Sequence, residues 1–320
     1  MKSLFLPLVL SLIVLGCVEE GEVSPDSLGQ WSFLIEEDGI ASDIITVLFT
    51  DSKGNVWIGT SDGLTMYDGD SFTTFTQENG SLSDNHVLAI MEDSDNTILV
   101  GTEGGFDYFD GNQWGNLQQF DGIEINALEE TANGDLWVAA SDYGLIQLLS
   151  TGGLKQHFDY ICFYCNDINT LFTDSDGLLW IGSEGDLKSY DGTFTSYTEL
   201  DGLASSWVST IAEDHWGNLW VGGFASRSIT RFTSGINFEE IPLVDTDSFH
   251  WVRSIVEDRN GKLWLASDGA GLLSFDGAVM RKMFDVFADE YVTALTVDNK
   301  GQLWVGSEGA GIAIYTPTPN

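Results

Sequence analysis

The sequence predicts an all-β chain: a single seven-bladed β-propeller closed by an N-terminal strand and preceded by a signal peptide and a short flexible tether. Three observations predict it. Residues 51–75, DSKGNVWIGTSDGLTMYDGDSFTTF, read as turn, strand, turn, strand, Asp-Gly and strand, and this pattern recurs to the end of the chain. Placing Trp57 in register with Leu99, Trp137, Trp180, Trp220, Trp264 and Trp304 gives intervals of 42, 38, 43, 40, 44 and 40 residues, the period of a propeller blade. Composition agrees: 36 Gly against 5 Pro suit many tight turns, and 11 Trp, 9 Tyr and 19 Phe suit packing between blades.

Residues 1–16 read as a lipoprotein signal peptide. Lys2 supplies the positive start, and Leu4 to Leu15 form an apolar core too short to span a bilayer. Val14-Leu15-Gly16-Cys17 resembles a bacterial lipobox, which implies Cys17 as the lipidated N-terminus; an ordinary secretory signal is the alternative. Residues 17–30, acidic and without apolar period, read as a tether, and residues 31–320 as the propeller. Glu19, Glu20 and Glu22 resemble the acidic signal of some surface lipoproteins of Bacteroidota. The expected location is the cell envelope, anchored by lipid to the outer membrane on its periplasmic side or at the cell surface.

Trp31 to Asp38 (WSFLIEED) matches the blade ends SFTTFTQENG and TFTSYTELDG, whereas the last repeat stops at Ile312–Tyr315 without an outer strand. The N-terminal segment is therefore expected to supply that strand, removing an exposed edge and closing one ring. Within the first unit the expected strands are 45–50, 56–59, 64–67 and 72–75. The turn before the second strand carries Gly54, Gly134, Gly177, Gly217, Gly261 and Gly301, with Asn96 in the second unit; these residues accept positive φ. Asp51, Asp93, Asp174, Asp214, Asp258 and Asp298, three residues earlier, read as acceptors for turn amides, and the repeated Trp as packing between blades.

Twelve basic and 50 acidic residues leave a net charge of −38. That balance argues against nucleic acid and anionic lipid surfaces as partners, and suits divalent cations, basic ligands or solubility. The charge is uneven: residues 54–154 contain no Lys or Arg, while eight of the twelve fall between Arg227 and Lys300.

The pattern D-x-x-G-x-L-W-[IV]-G-[TS]-x-x-G-[LI] resembles the two-component regulator propeller repeat, with clear copies at 51–64, 174–187, 258–272 and 298–312. Units at Asp93 and Asp214 are recognisable, and the unit at Thr131 diverges most. The resemblance covers about Trp31 to Tyr315 and implies a ligand-binding, sensor-type propeller. Family members form the extracytoplasmic sensors of hybrid histidine kinases, often as two rings that recognise oligosaccharides. Here one ring and no kinase segment fit the 320 residues, so direct phosphotransfer by this chain is not expected.

Loops between second and third strands share one face with the loops joining blades. Asp62, Glu103, Asp142, Glu184, Asp268 and Glu308 fall in the first set, with Arg227 in the fifth blade's loop. They are expected to form a partial carboxylate ring at the channel mouth, which could bind calcium or be plain turn chemistry. The joining loops add His86, Phe163, Tyr164, Trp207, Phe249, His250, Trp251 and Tyr291, of which Tyr164, Trp207 and Trp251 are the aromatic candidates for stacking on a sugar. Cys162 and Cys165 in YICFYCND read as a disulfide in an exported protein; zinc would need further ligands, and only His157 is near.

The leading functional expectation is non-catalytic: an envelope lipoprotein, monomeric as a ring, that binds a glycan, another small molecule or a protein partner on the channel face, in a sensing or scaffolding role. Contact with the membrane is expected only through the anchor. One alternative is a metal-dependent enzyme like the seven-bladed streptogramin lyases, with His86 or His250 as base and His215 on the opposite face. Against it, the repeats read WIGT or WVGS, not W-F-T-E, and four histidines show no repeated pattern. The other alternative is a structural docking protein whose acidic face meets a basic partner.

Overall fold

The structure, a computed structural model, describes residues 29–157, 168–233, 237–244, 250–283, 286–287 and 291–317. Seven antiparallel sheets of four strands each stand around a central axis. Blade one comprises Ile45–Thr50, Val56–Thr60, Gly63–Tyr67 and Phe72–Phe75, hydrogen-bonded in that order from the axis outwards. The second strand of this blade is buried along its whole length, because neighbouring blades cover both faces.

Closure follows the expected route. The strand Gly29–Leu34 pairs antiparallel with Ile312–Pro317, from Gly29 opposite Pro317 to Leu34 opposite Ile312, and so becomes the outer strand of blade seven.

The repeated tryptophans pack as the sequence suggests, in one consistent relation. Each lies tilted or edge-on against an aromatic near the end of the third strand of the next blade. Trp57 meets Phe109 at 6.1 Å, Trp180 meets Phe232 at 5.4 Å, Trp264 meets Tyr315 at 5.8 Å, and Trp304 meets Tyr67 across the closure at 5.6 Å. Between blades two and three the same cluster holds Leu99 and Leu148 instead. Such aromatic pairs add about 0.5–1.5 kcal/mol each beyond the area they bury.

The small residue two places after each Trp has a steric cause. A Cβ on Gly59 would meet Val87 Cγ1 of the next blade at 2.8 Å, and one on Gly306 would meet Ile45 Cγ2 at 2.6 Å. Blades three and six carry Ala139 and Ala266 there, fully buried. This position sets how closely consecutive blades approach.

One device recurs in every blade that period-2 reading does not show. The pairing of the innermost strand with the second strand slips between its first and third residues, in blade six between its second and fourth, leaving a bulged residue in each: Thr46, Leu88, Asn126, Asn169, Ser209, Arg253 and Thr293. A bulge re-aims one side chain. Here all seven bulged residues line the central channel.

Candidate functional site

The channel mouth is built from two residues per blade. One precedes the paired part of the innermost strand, and the other follows the second strand. Their backbones meet: the N–H of Glu103 donates to His86 at 3.1 Å, that of Phe224 to Trp207 at 2.9 Å, and that of Glu308 to Tyr291 at 3.2 Å. This register revises the expected carboxylate ring. Glu103, Glu184, Asp268 and Glu308 stand at the mouth position, directly after residues paired to the innermost strand. In blades one and three Ser61 and Ser141 hold it, so Asp62 and Asp142 lie one residue further along their turns and are exposed. Asp142 also takes a left-handed backbone, φ 64°. Among the described residues no three His, Cys, Asp or Glu side chains come together in a way that could hold a metal ion.

The mouth is two-sided. Blades five to seven and one present Trp207, Phe224, Trp251, Tyr291 and Ile44, with Phe224, Tyr291 and Ile44 exposed. Trp207 and Phe224 lie 4.7 Å apart, and Phe224 meets Trp251 edge-on at 5.3 Å. Blades two to four present His86, Glu103, Glu124 and Glu184, with His86 Nδ1 3.0 Å from Glu103. An aromatic arc, whose own carboxylates Asp268 and Glu308 are paired with Arg253, thus faces an acidic arc.

Where the aromatic arc reaches the axis stands Arg253. Its guanidinium lies over the Trp251 ring at 4.0 Å. Its Nη2 donates to Asp268 at 3.1 Å and Glu308 at 3.4 Å. Below it runs a channel of about 230 Å³, and Arg253 is the one ionisable side chain in its lining among the described residues. Three other bulged side chains stitch neighbouring blades: Asn169 donates to Val208 O at 2.9 Å, Ser209 to Val252 O at 2.5 Å, and Thr293 to Ile45 O at 2.6 Å.

Of the aromatics read from sequence, Trp207 and Trp251 are half-buried at the mouth. His250 is buried beneath it, and His215 lies in a turn on the opposite face, bonded to Glu257. Tyr164, Phe163, Phe249, Cys162, Cys165 and Cys17 lie outside the described residues. Sequence reasoning missed Phe224, which stood only as the fifth blade's lack of a carboxylate, and missed Arg253. The signal for Arg253 was its place near the start of a repeated innermost strand, Trp251–Glu257, but nothing linear says that a bulge turns that residue to the axis.

Six segments, residues 39–62, 81–104, 165–185, 202–225, 247–269 and 287–309, match the family model described as two component regulator propeller. Blade three is the one without a match. No curated protein sequence matches the chain. Among solved structures, the extracellular domain of a hybrid two component system from B. thetaiotaomicron is similar at TM-score 0.74 and 20% identity, covering 91% of this chain and 42% of that one. The chain therefore spans about two fifths of that domain's length. Virginiamycin B lyase from Staphylococcus aureus is similar at TM-score 0.72 and 14% identity, over 90% of this chain and 99% of the lyase. PorZ, a surface component of the type-IX secretion system of Porphyromonas gingivalis, is similar at TM-score 0.65 and 15% identity, over 87% and 47%. At these identities the likeness is one of fold.

Proposed function

We propose that this chain, which belongs to the two component regulator propeller family by its six matched repeats, is a non-catalytic envelope module that binds a ligand at the channel mouth. The observation that carries this reading is the two-sided mouth. Flat faces of Trp207, Phe224 and Trp251 lie across from Glu103, Glu124 and Glu184. A sugar ring matches such a divide, since its C–H face stacks on aromatics while its hydroxyls donate to carboxylates. Calcium is proposed only as an auxiliary ion at the acidic arc, where no three carboxylates converge among the described residues, and Cys17 is the proposed lipid anchor holding the module at the outer membrane.

The test is a melting-temperature series on the protein from Val18 onward, with neutral oligosaccharides and with calcium against a chelator. A ligand that binds only the native state raises the midpoint saturably. The expected result is a sugar-dependent rise that disappears when Trp207 and Phe224 are both replaced by Ala. No shift with any sugar would transfer the mouth to a protein partner.

A further inference from the structure

We propose that the channel beneath the mouth is a receptor for a single carboxylate group, carried by a small hydroxy acid, and that Arg253 is the group that holds it. This deepens the mouth reading, since mouth and channel meet at Arg253, but it stands on different atoms.

The chain has 12 basic residues against 50 acidic ones, and among the described residues Arg253 alone of the basic ones lines the central channel. Arg253 makes both of its carboxylate contacts through Nη2, to Asp268 and Glu308. Its Nε is buried and has no partner. A guanidinium is a rigid planar fork suited to two parallel bonds with one carboxylate. Trp251, packed over the plane at 4.0 Å, limits the tilt of that fork. Nη2 is thus engaged at the rim while Nε remains without an acceptor, so a carboxylate taking two bonds on the Nε edge takes Nη2 over from its longer contact, Glu308 at 3.4 Å.

A second orphan lines the same cavity. Thr46 Oγ1 is buried without a hydrogen-bond partner, although the hydroxyls at the equivalent bulges, Ser209 and Thr293, each donate to the next blade. Buried polar atoms in native proteins are nearly always satisfied, so two orphans in one cavity call for a common explanation. Among the described residues the lining holds no carboxylate, Asp268 and Glu308 approaching Arg253 only from the rim. Asn126 and Asn169, whose amide N–H groups go to Ser141 Oγ and Val208 O, add carbonyl oxygens as acceptors for hydroxyls. A cavity of about 230 Å³ is smaller than the roughly 300–1,000 Å³ of sites for drug-sized ligands, which limits the occupant to a molecule of sugar-acid size or less.

The net charge of −38 opposes an approaching anion. Beyond about 8 Å that field is screened at physiological salt, so it slows association more than it weakens contact with the guanidinium.

The experiment is calorimetric titration of the full chain with gluconate, with glucose and chloride as comparison probes. Gluconate is expected to bind saturably, and Arg253→Lys, which keeps the charge but loses the fork, to bind it at least tenfold more weakly. Thr46→Val is the second variant, expected to weaken gluconate several-fold in a protein that keeps its melting temperature. Unchanged gluconate affinity in Arg253→Lys, equal binding of glucose, full competition by chloride, or no binding of gluconate each overturns the proposal. Phe224→Ala separates the two readings. Gluconate affinity kept while neutral-sugar binding is lost supports the channel and the mouth as distinct; binding of neutral sugar alone leaves the mouth and removes the carboxylate receptor.

Discussion

The indole Nε1 of Trp57 donates to Asp51 Oδ2 at 2.9 Å, six residues back along the chain. The other oxygen of Asp51 accepts the turn amides of Lys53 and Asn55 at 3.0 and 2.8 Å. One carboxylate therefore closes the turn and anchors the ring that packs on the next blade. The bond recurs at Asp174–Trp180, Asp214–Trp220, Asp258–Trp264 and Asp298–Trp304, between 2.7 and 3.1 Å. In blade three Thr131 replaces the aspartate, and the buried Trp137 Nε1 has no partner. Removing one side of such a bond costs about 1–3 kcal/mol. Asp51→Ala should lower the melting temperature accordingly. Thr131→Asn, which offers a neutral acceptor beside Asp135, should raise it by the equivalent of about 1 kcal/mol. Thermal unfolding of both variants against the parent checks the pair.

Blades are also tied on the face opposite the mouth. Ser52 donates its N–H and its hydroxyl to the Glu92 carboxylate at 2.7 and 2.8 Å, and Ser94 with Glu130 and Ser175 with Glu213 repeat the contact. A double-mutant cycle of Ser52→Ala and Glu92→Ala should give a coupling of about 1 kcal/mol, because charge-assisted bonds exceed neutral ones. Additive effects would mean that the Ser52 hydroxyl adds nothing to the joint between these blades.

Close approach of the blades depends on Gly101. A Cβ there would lie 2.6 Å from Ile125 O and 2.8 Å from Ile125 Cγ2 on the next blade. Backbone cannot yield as a flexible side chain can. Gly101→Val should destabilise by at least about 2 kcal/mol, at the high end of overpacking, and Gly101→Ala by less, as Ala139 and Ala266 occupy the equivalent sites. Denaturant midpoints at unchanged slope would measure this.

Burial raises Glu129 to about 7 from an ordinary 4.5, against the opposing bond from the Thr173 N–H at 3.0 Å. The folded chain thus holds a proton between those values that the unfolded chain releases. Stability from this site is greatest below about 4.5 and falls as pH rises through 7. Glu129→Gln keeps an acceptor for Thr173 and removes the charge. It should raise the melting temperature at pH 8, by the equivalent of roughly 1–3 kcal/mol, and leave it nearly unchanged at pH 4.5. His157, lowered to about 4 by burial, contributes the opposite slope between about 4 and 6.5, so the variant must be read against the parent at each pH. Equal effects at both ends would mean that Glu129 does not titrate abnormally.

Ring closure predicts a change of association. Deletion through Leu34 would uncover the edge Ile312–Pro317, now paired over six residues. An unpaired edge templates pairing with another chain. The truncated protein should melt lower and elute as oligomers in size-exclusion chromatography.

Much of this architecture was legible in linear form. Blade number, the order of strands within a blade and closure by the N-terminal strand follow from a 40-residue period and a missing last strand, because each blade is a local unit that repeats its own hydrophobic pattern. The role of the repeated Asp was half legible: its turn bonds span two to four residues, whereas its indole bond depends on how the strand after the turn twists back. The candidate site divides in the same way. Six turn carboxylates were visible as residues, but a one-residue offset in Asp62 and Asp142 decided which of them reach the mouth. Phe224 and Arg253 could not be picked from their blades alone. Phe224 matters because Trp207 and Trp251 flank it from separate strands, and Arg253 because a bulge turns it to the axis where Asp268 and Glu308, from two blades, meet it. By itself the sequence determined the ring, since local period and turn chemistry act within one blade. The tertiary structure decided the site, since register, bulge and the convergence of seven blades exist only once the ring is closed.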